Sequence, residues 1–292
     1  MRYEGDIYSP HIAGDDYILQ CTIGCSHNQC TFCSMYKDKV FRIREVADIL
    51  YDIQLAQAYY GEVEKVFLGD GDALIMSADS LITILDRLYA TFPGLFYVGT
   101  YASPGSILKK TPLELKRLQE HGLTEVHLGV ESGDKAVLRD IRKGVTYDEM
   151  VAAGKKVRAV GIQLFVTVIL GLAGRMPRGL THAKNTARIC NDIQPDYIGI
   201  LTIMAQPRTE LYKKLQEGKS ELPEDQETLV EMSAMIQDLE LNHCGITSIH
   251  PSNCLHLDGI LPQDKEKILQ ILAKAIGGTD PVPPRPRNLP KV

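Results

Sequence analysis

Residues 16–33 read DYILQCTIGCSHNQCTFC. An apolar run of β type ends at Cys21, and four of the chain's seven cysteines fall within the thirteen residues from Cys21 to Cys33. The overall cysteine content places only about 0.3 in a window of that size. A disulfide framework spreads its cysteines along a short secreted chain, whereas a cluster inside a long one speaks for metal or redox chemistry. Thiolates hold zinc in tetrahedral sets of four and hold iron–sulfur clusters on loops. The spacing C-x3-C-x4-C-x2-C can supply either. A zinc knuckle, however, normally carries two separated pairs on a small module of its own, not on the loop after the first strand of a large sheet.

Outward from that loop the chain repeats one pattern, a short apolar run followed by an amphipathic helical run. Strands are expected at 16–21, 65–70, 95–100, 125–130, 163–171 and 196–203. Helices are expected at 44–61, 77–92, 111–122, 135–141, 146–161 and 181–193. The helix at 111 carries a full start signal, with Thr111 as N-cap, Pro112 at the first helical position and Glu114 completing a capping box. The strands are nearly continuous in apolar residues, the mark of strands buried on both faces of a parallel sheet covered by helices. Six βα units make an α/β fold of partial-barrel type, and the regular pattern fades near residue 215. A helix at 224–241, an irregular stretch at 245–262 and a helix at 263–276 then form a helical cap. The expected division is a barrel at 1–215, a cap at 216–278 and a flexible Pro-rich tail at 279–292.

The chain has 292 residues, 44% of them hydrophobic, and a net charge of −5. That is ample for a core, and it argues against a sequence-independent nucleic-acid binder, which needs a basic face. No signal-type run opens the chain and no window reaches the roughly 18 apolar residues of a membrane span. A cytoplasmic protein without membrane contact is the expectation, and thiols there stay reduced.

The segment GCSHNQCTFCSMYK (24–37) resembles the cluster loop of the radical SAM superfamily. In that family three cysteines hold a [4Fe-4S] cluster, an aromatic residue precedes the last of them, here Phe32, and the loop follows the first barrel strand. The family spacing is C-x3-C-x2-C. This chain departs from it, because Cys25, Cys30 and Cys33 give C-x4-C-x2-C. The resemblance implies that these three are the cluster ligands and that Cys21, at the end of an apolar strand, is a buried structural thiol. It further implies that the iron left open is chelated by S-adenosylmethionine (SAM), and that an electron from the cluster cleaves SAM to a 5′-deoxyadenosyl radical.

Later strand ends carry the resemblance on. LGDGDAL (68–74) is similar to the family's Gly-Gly-Glu segment, which implies SAM contacts from Gly69, Asp70, Gly71 and Asp72; glycine lets the backbone approach closely. A side chain at Gly71 is expected to block SAM but to spare the cluster, whose ligands lie on another loop. LGVESGDKAVLRDIRKGVT (128–146) resembles the family's Glu-Ser-Gly strand end, so Glu131 and Ser132 are implied at the ribose or methionine, and Arg142 at a carboxylate. The alternative for Arg142 is a solvated helix end. VILGLAGR (168–175) implies backbone around Gly171 facing adenine, with Arg175 near the methionine carboxylate. AQPRTELYKKL (205–215) is similar to the family's segment after strand six.

For the substrate the sequence offers less. Tyr36, Arg42 and Arg44 follow the cluster loop, where they line a mouth for an anionic substrate or solvate a loop, and Tyr36 is also a candidate catalytic residue. His250, Asn253 and Cys254 lie in HPSNCLHLDG (250–259), a polar stretch suited to closing a barrel, with Cys254 a candidate hydrogen-atom donor. The likeness extends to proteins grouped with oxygen-independent coproporphyrinogen oxidase, which rests on fold and is not evidence of porphyrin chemistry. Two functions stand: an anaerobic radical SAM enzyme acting on a small molecule, fed by a low-potential donor such as ferredoxin or flavodoxin, or a non-catalytic Fe–S carrier with a degenerate SAM site.

Overall fold

The computed structural model describes residues 2–10, 17–279 and 282–284. The tail expected to be flexible lies almost wholly outside them. The first apolar run forms β1 (Tyr17–Gln20); Thr22–Ile23 (β2) then pairs antiparallel with Arg42–Ile43 (β3), closing the cysteine loop at its base. Next come α1 (Val46–Tyr60), β4 (Lys65–Gly69), α2 (Ala78–Thr91), β5 (Tyr97–Ala102), α3 (Pro104–Lys109), α4 (Pro112–Glu120) and β6 (Glu125–Glu131). After these follow α5 (Lys135–Asp140), α6 (Tyr147–Ala159), β7 (Gln163–Leu170), α7 (Arg178–Ile193), β8 (Tyr197–Thr202) and α8 (Glu210–Gln216). The chain continues with α9 (Asp225–Asp238), β9 (Cys244–Thr247), β10 (Asp258–Leu261) and α10 (Lys265–Ile276). The six strands expected from the apolar runs are β1, β4, β5, β6, β7 and β8.

These residues form two compact units, one of 1–28, 35–128 and 152–164, the other of 29–34, 129–151 and 165–292. In the first, β1, β4, β5 and β6 lie side by side, all parallel, with Val66 opposite Val98 and Thr100 opposite Val126. Parallel neighbours need a crossover, and α1, α2 and α4 supply it. Ser77 caps α2 by accepting from the Ser80 N–H, and α2 buries Leu81, Ile84, Leu85 and Leu88. Each such side chain contributes about 1.5–3 kcal/mol when fully buried. The capping box expected at Thr111 and Glu114 is present.

In the second unit β7 and β8 run parallel from Phe165–Tyr197 to Leu170–Thr202. Here the structure corrects an expectation. The stretch after residue 244 is not irregular throughout: β9 adds parallel to β8, and β10 returns antiparallel to β9. Its four-residue strands are separated by a ten-residue polar loop, so neither shows the long apolar run that marks the other strands. The C-terminal segment therefore extends a sheet as well as supplying helices. Among the described residues no helix is long and apolar enough to cross a membrane.

Candidate active site

The first unit holds Cys21 and Cys25. Cys21 is fully buried, and burial pushes its thiol up to about 12. A thiol that resists ionisation is a poor metal ligand, and no neighbouring charge offsets this enough. Cys25 is half-buried, as are Cys30 and Cys33, which belong to the second unit.

Under Cys25 runs the turn after β4. The Asp70 N–H donates to the Thr22 carbonyl (3.2 Å), and the Gly71 N–H donates to that of Gly24 (3.1 Å). A Cβ at Gly71 would stand 2.9 Å from the Cys25 Cβ and 2.6 Å from the ring of Tyr36. Only a glycine therefore fits beside this cysteine of the loop. The two aspartates of this turn are buried and turned into the protein. Asp70 Oδ2 accepts from the Gly24 N–H (2.9 Å), Gln20 Nε2 (3.0 Å) and Lys39 Nζ (2.9 Å). Asp72 accepts from the Ser103 N–H (2.9 Å), the Ser103 hydroxyl (2.8 Å) and the Ser26 hydroxyl. Through Asp70 Oδ2 and both oxygens of Asp72 the carboxylates staple the cysteine loop to the turn, while Asp70 Oδ1 is buried without a hydrogen-bond partner among the described residues. Lys39, Ser26 and Ser103 were not singled out from the sequence, because their partners lie 31 to 46 residues away.

Elsewhere in the first unit Tyr36 is buried, and its ring meets Tyr8 edge-on. Arg42 is exposed and binds both oxygens of Glu4 at 2.6 Å. Arg44 is not a mouth residue: it pairs with buried Asp52 (2.7 Å) and donates to the Gln20 carbonyl (2.7 Å). A buried guanidinium needs such partners, so its charge is spent in holding α1 to β1. A further polar cluster, absent from the sequence reading, lies on the face of β5 and β6 opposite Val98 and Val126. There Glu125 accepts from the Tyr97 hydroxyl (2.7 Å) and contacts His127 Nε2 at 2.5 Å.

In the second unit Phe32 packs against Val137, Ile141 and Ala173, beside Leu172. The Thr31 N–H donates to Ile141 (3.0 Å), and the Thr31 carbonyl accepts from Leu211 (2.9 Å). The segment bearing Cys30 and Cys33 is therefore fixed through its backbone and its aromatic residue. Glu131 sits at φ +62° and pairs with Lys143 (2.8 Å). Ser132 is buried and accepts from the Asp134 N–H (2.9 Å). Arg142, exposed, pairs with Glu210 (2.8 Å).

Gly171, at φ +81°, donates its N–H to Glu231 (3.1 Å). Arg175 binds Glu224 and Glu227, at 2.9 Å each. Asn253 does not face open space. Its amide donates to the carbonyls of Ile200 (2.7 Å) and Ser248 (2.8 Å) and accepts from Thr202 (2.7 Å), and it is buried. His250 Nδ1 meets the Ser252 hydroxyl at 2.7 Å, and Cys254 is buried. The 250–257 stretch ties β8 to the start of the β9–β10 loop, and the expectation that Asn253 receives substrate is withdrawn.

A model of the radical SAM superfamily matches residues 19–181. The chain belongs to the radical SAM superfamily. The match takes in the cysteine loop, the turn after β4 and the Glu-Ser-Gly strand end. The heme chaperone HemW of Bacillus subtilis is 22% identical over 200 residues, 68% of this chain and 52% of its own length. Among solved structures, the coproporphyrinogen III oxidase HemN of Escherichia coli, a radical SAM enzyme, superposes with a TM-score of 0.56 at 17% identity, over 76% of this chain and 50% of that one. The radical SAM methyltransferase TsrM of Kitasatospora setae, with cobalamin and a [4Fe-4S] cluster bound, gives 0.56 at 16% identity, over 70% of this chain and 39% of that one. The chain spans about half the length, or less, of the curated relatives it matches in sequence. The likenesses carry the fold: α/β, of the radical SAM barrel type.

As a member of the superfamily the chain has two cofactors, a [4Fe-4S] cluster and SAM. The residues present suit them. Three half-buried thiols stand on one loop, and the fourth is withdrawn by burial. The Gly71 backbone lies where any side chain would collide with Cys25. Among the described residues no three Cys, His, Asp or Glu side chains converge tightly enough for a single ion. A four-iron cluster, whose ligands bind different irons, does not ask for that.

Proposed function

We propose that the chain is a radical SAM enzyme in which Cys25, Cys30 and Cys33 hold the cluster and SAM binds beside them, over the backbone of Gly69–Asp72. When bound, the reduced cluster supplies the electron that cleaves SAM to a 5′-deoxyadenosyl radical, which takes a hydrogen atom from, or adds to, a small-molecule substrate. The observation that carries this reading is the close packing of the turn after β4 on the cysteine loop, where only glycine fits beside Cys25 and Tyr36 and the Asp70 and Asp72 staples hold the two together. It puts a side-chain-free backbone against a cluster cysteine, as a ligand shared by the two would need. Glu131 and Ser132, on the strand end of β6, and the backbone of Gly171, at the end of β7, are proposed to take the ribose and adenine. Arg142 is proposed as a partner for a carboxylate, in exchange for Glu210, and Arg175 as the one near the methionine carboxylate, in exchange for Glu224 and Glu227. His250, Cys254 and Arg42 are proposed at the substrate side. A low-potential donor such as ferredoxin or flavodoxin, and a cytoplasmic, anaerobic setting, complete the proposal.

The relatives include a heme chaperone, an oxidase and a methyltransferase, so the substrate is proposed only as a small molecule. The test is anaerobic reconstitution followed by SAM and dithionite. The expected product is 5′-deoxyadenosine in amounts that exceed the protein with time. A reconstituted cluster that yields none would favour the other reading, an Fe–S carrier with a degenerate SAM site.

A further inference from the structure

Glu224, Glu227 and Glu231 stand three, four and seven residues apart, on one face of α9 and its N-cap. All three reach back to the loop after β7. Glu224 and Glu227 grip Arg175, at 2.9 Å each, and Glu227 also accepts from the Met176 N–H (3.2 Å). Deeper in, both oxygens of Glu231 accept from the Gly171 N–H (3.1 Å), and Oε1 meets His182 Nδ1 at 2.6 Å. The side chains of Glu231 and His182 are each 1% exposed. The segment before α9 closes on the same loop, since a Cβ at Gly171 would stand 2.8 Å from the Pro223 ring. On the loop's other side, Leu172 and Ala173 belong to the apolar cluster that packs Phe32, between Cys30 and Cys33.

A carboxylate taken out of water costs several kcal/mol unless it is paired and hydrogen-bonded. Glu231 meets that cost with one histidine and one backbone N–H. That N–H belongs to a glycine at φ +81°, whose peptide orientation decides which way the loop presents its backbone. A neutral apolar contact would fix the loop's position but not the direction of its N–H.

We infer that Glu231, held by His182, is a positioning residue: it sets the Gly171–Met176 loop so that one side presents backbone to SAM and the other backs Phe32 of the cluster loop. The inference rests on the proposed place of SAM at this loop. It gives the segment beyond the βα repeats a role in cofactor binding without touching cofactor. Glu227 and Glu224 hold the far end of the same loop through Arg175.

The experiment uses the full chain with its cluster reconstituted, in the forms Glu231→Gln, Glu231→Leu, Glu227→Gln and, as a control for stability alone, Ile236→Ala. Ile236 is fully buried on α9. Three quantities are read: iron per chain, the SAM concentration that half-saturates the change in the reduced cluster's EPR signal, and hydrogen exchange of residues 171–176 in cofactor-free protein. Losing a buried hydrogen bond to a charged group shifts an equilibrium by about tenfold or more. Glu231→Leu is therefore expected to raise the half-saturating SAM at least about tenfold and to speed exchange of the loop, with Ile236→Ala within about twofold of wild type at a similar loss of thermal midpoint. Glu231→Gln, which still accepts from Gly171, is expected to recover most of the affinity. Should Glu231→Leu fail to fold, Glu227→Gln on the more exposed end is expected to raise the SAM requirement about threefold. Equal shifts in Ile236→Ala and the glutamate variants, or no shift in any glutamate variant while wild type responds to SAM, overturn the inference. A wild-type protein that gives no SAM response overturns the SAM reading of this loop, and the clamp falls with it as a cofactor device.

Discussion

Replacing Gly71 with alanine adds a single carbon at the point where the turn after β4 meets the cysteine loop. That carbon would lie 2.6 Å from Tyr36 Cε2 and 2.9 Å from Cys25 Cβ, against ordinary contact at 3.4 Å or more. Neither neighbour can yield easily. Tyr36 is 4% exposed, and the turn is pinned by the hydrogen bonds of Asp70 and Asp72 to Gly24, Ser26 and Ser103. Overpacking of this kind costs about 1–3 kcal/mol, or roughly five- to 150-fold on whichever equilibrium absorbs it. The sequence alone assigns that cost to SAM, because the cluster ligands sit on another loop. The structure divides it, because one of the atoms that must move belongs to Cys25. Gly71→Ala is therefore expected to weaken both cofactors. Reconstituted protein should lose iron to a chelator about tenfold faster than wild type, and the SAM-induced EPR change should vanish at concentrations that saturate wild type. Gly94→Ala is the control, since nothing lies within 4 Å of a Cβ there. Adding Tyr36→Leu to Gly71→Ala should restore only part of both signals, because the Cys25 contact remains. A Gly71→Ala protein that holds iron and answers SAM as Gly94→Ala does would refute the packing argument and with it the assignment of this turn.

Further outcomes follow from the same geometry. Cys25→Ala, Cys30→Ala and Cys33→Ala should each abolish the brown chromophore near about 400 nm, whereas Cys21→Ala should keep it; in cluster-free folded protein at pH 8 iodoacetamide should leave Cys21 unlabelled, since burial holds its thiol up at about 12. Labelling of Cys21 at the rate of Cys25 would contradict that. Asn253→Ala strands the carbonyls of Ile200 and Ser248 and the hydroxyl of Thr202, so urea unfolding should show a loss of about 2–4 kcal/mol, with the cluster retained in the folded fraction; a loss below about 0.5 kcal/mol would mean the loop is held by other contacts. Arg44→Met leaves buried Asp52 with Arg2 as its one ion-pair partner among the described residues and should cost about 2–4 kcal/mol, while Arg42→Met, which removes an exposed pair with Glu4, should cost less than about 1 kcal/mol. Equal costs for the two arginines would undo the distinction drawn between them.

The apolar runs made the parallel strands legible because a strand buried on both faces needs no polar alternation, and six such runs stand out from their amphipathic neighbours. The capping box of α4 was legible for a local reason: its donors and acceptors lie within four residues. What the sequence hid depends on partners far along the chain. β9 and β10 are four residues each and owe their existence to the edge of β8. Short α3 and α8 lie in stretches with little apolar periodicity. The cysteine loop was readable from four thiols in thirteen residues, but which of them is withdrawn by burial is a matter of packing.

The same distinction governs the polar side chains near the strand ends. Asp70, Asp72, Arg44, Arg175 and Asn253 have the right chemistry and the right place along the chain, and each is paired inside the protein. A buried charge or amide cannot wait unpaired for a cofactor without cost, so side chains near a site tend to bind one another and fix the loops. Glycine has no such option. Gly71 and Gly171 are where a Cβ would strike a cysteine of the cluster loop or the segment before α9, so packing within the protein admits only glycine there. The cofactor surface of this chain is thus argued better from its glycines and from the partners of its acids than from the acids themselves. On the proposed reading Glu231 acts on SAM through the Gly171 backbone it holds at 3.1 Å, from outside the matched segment.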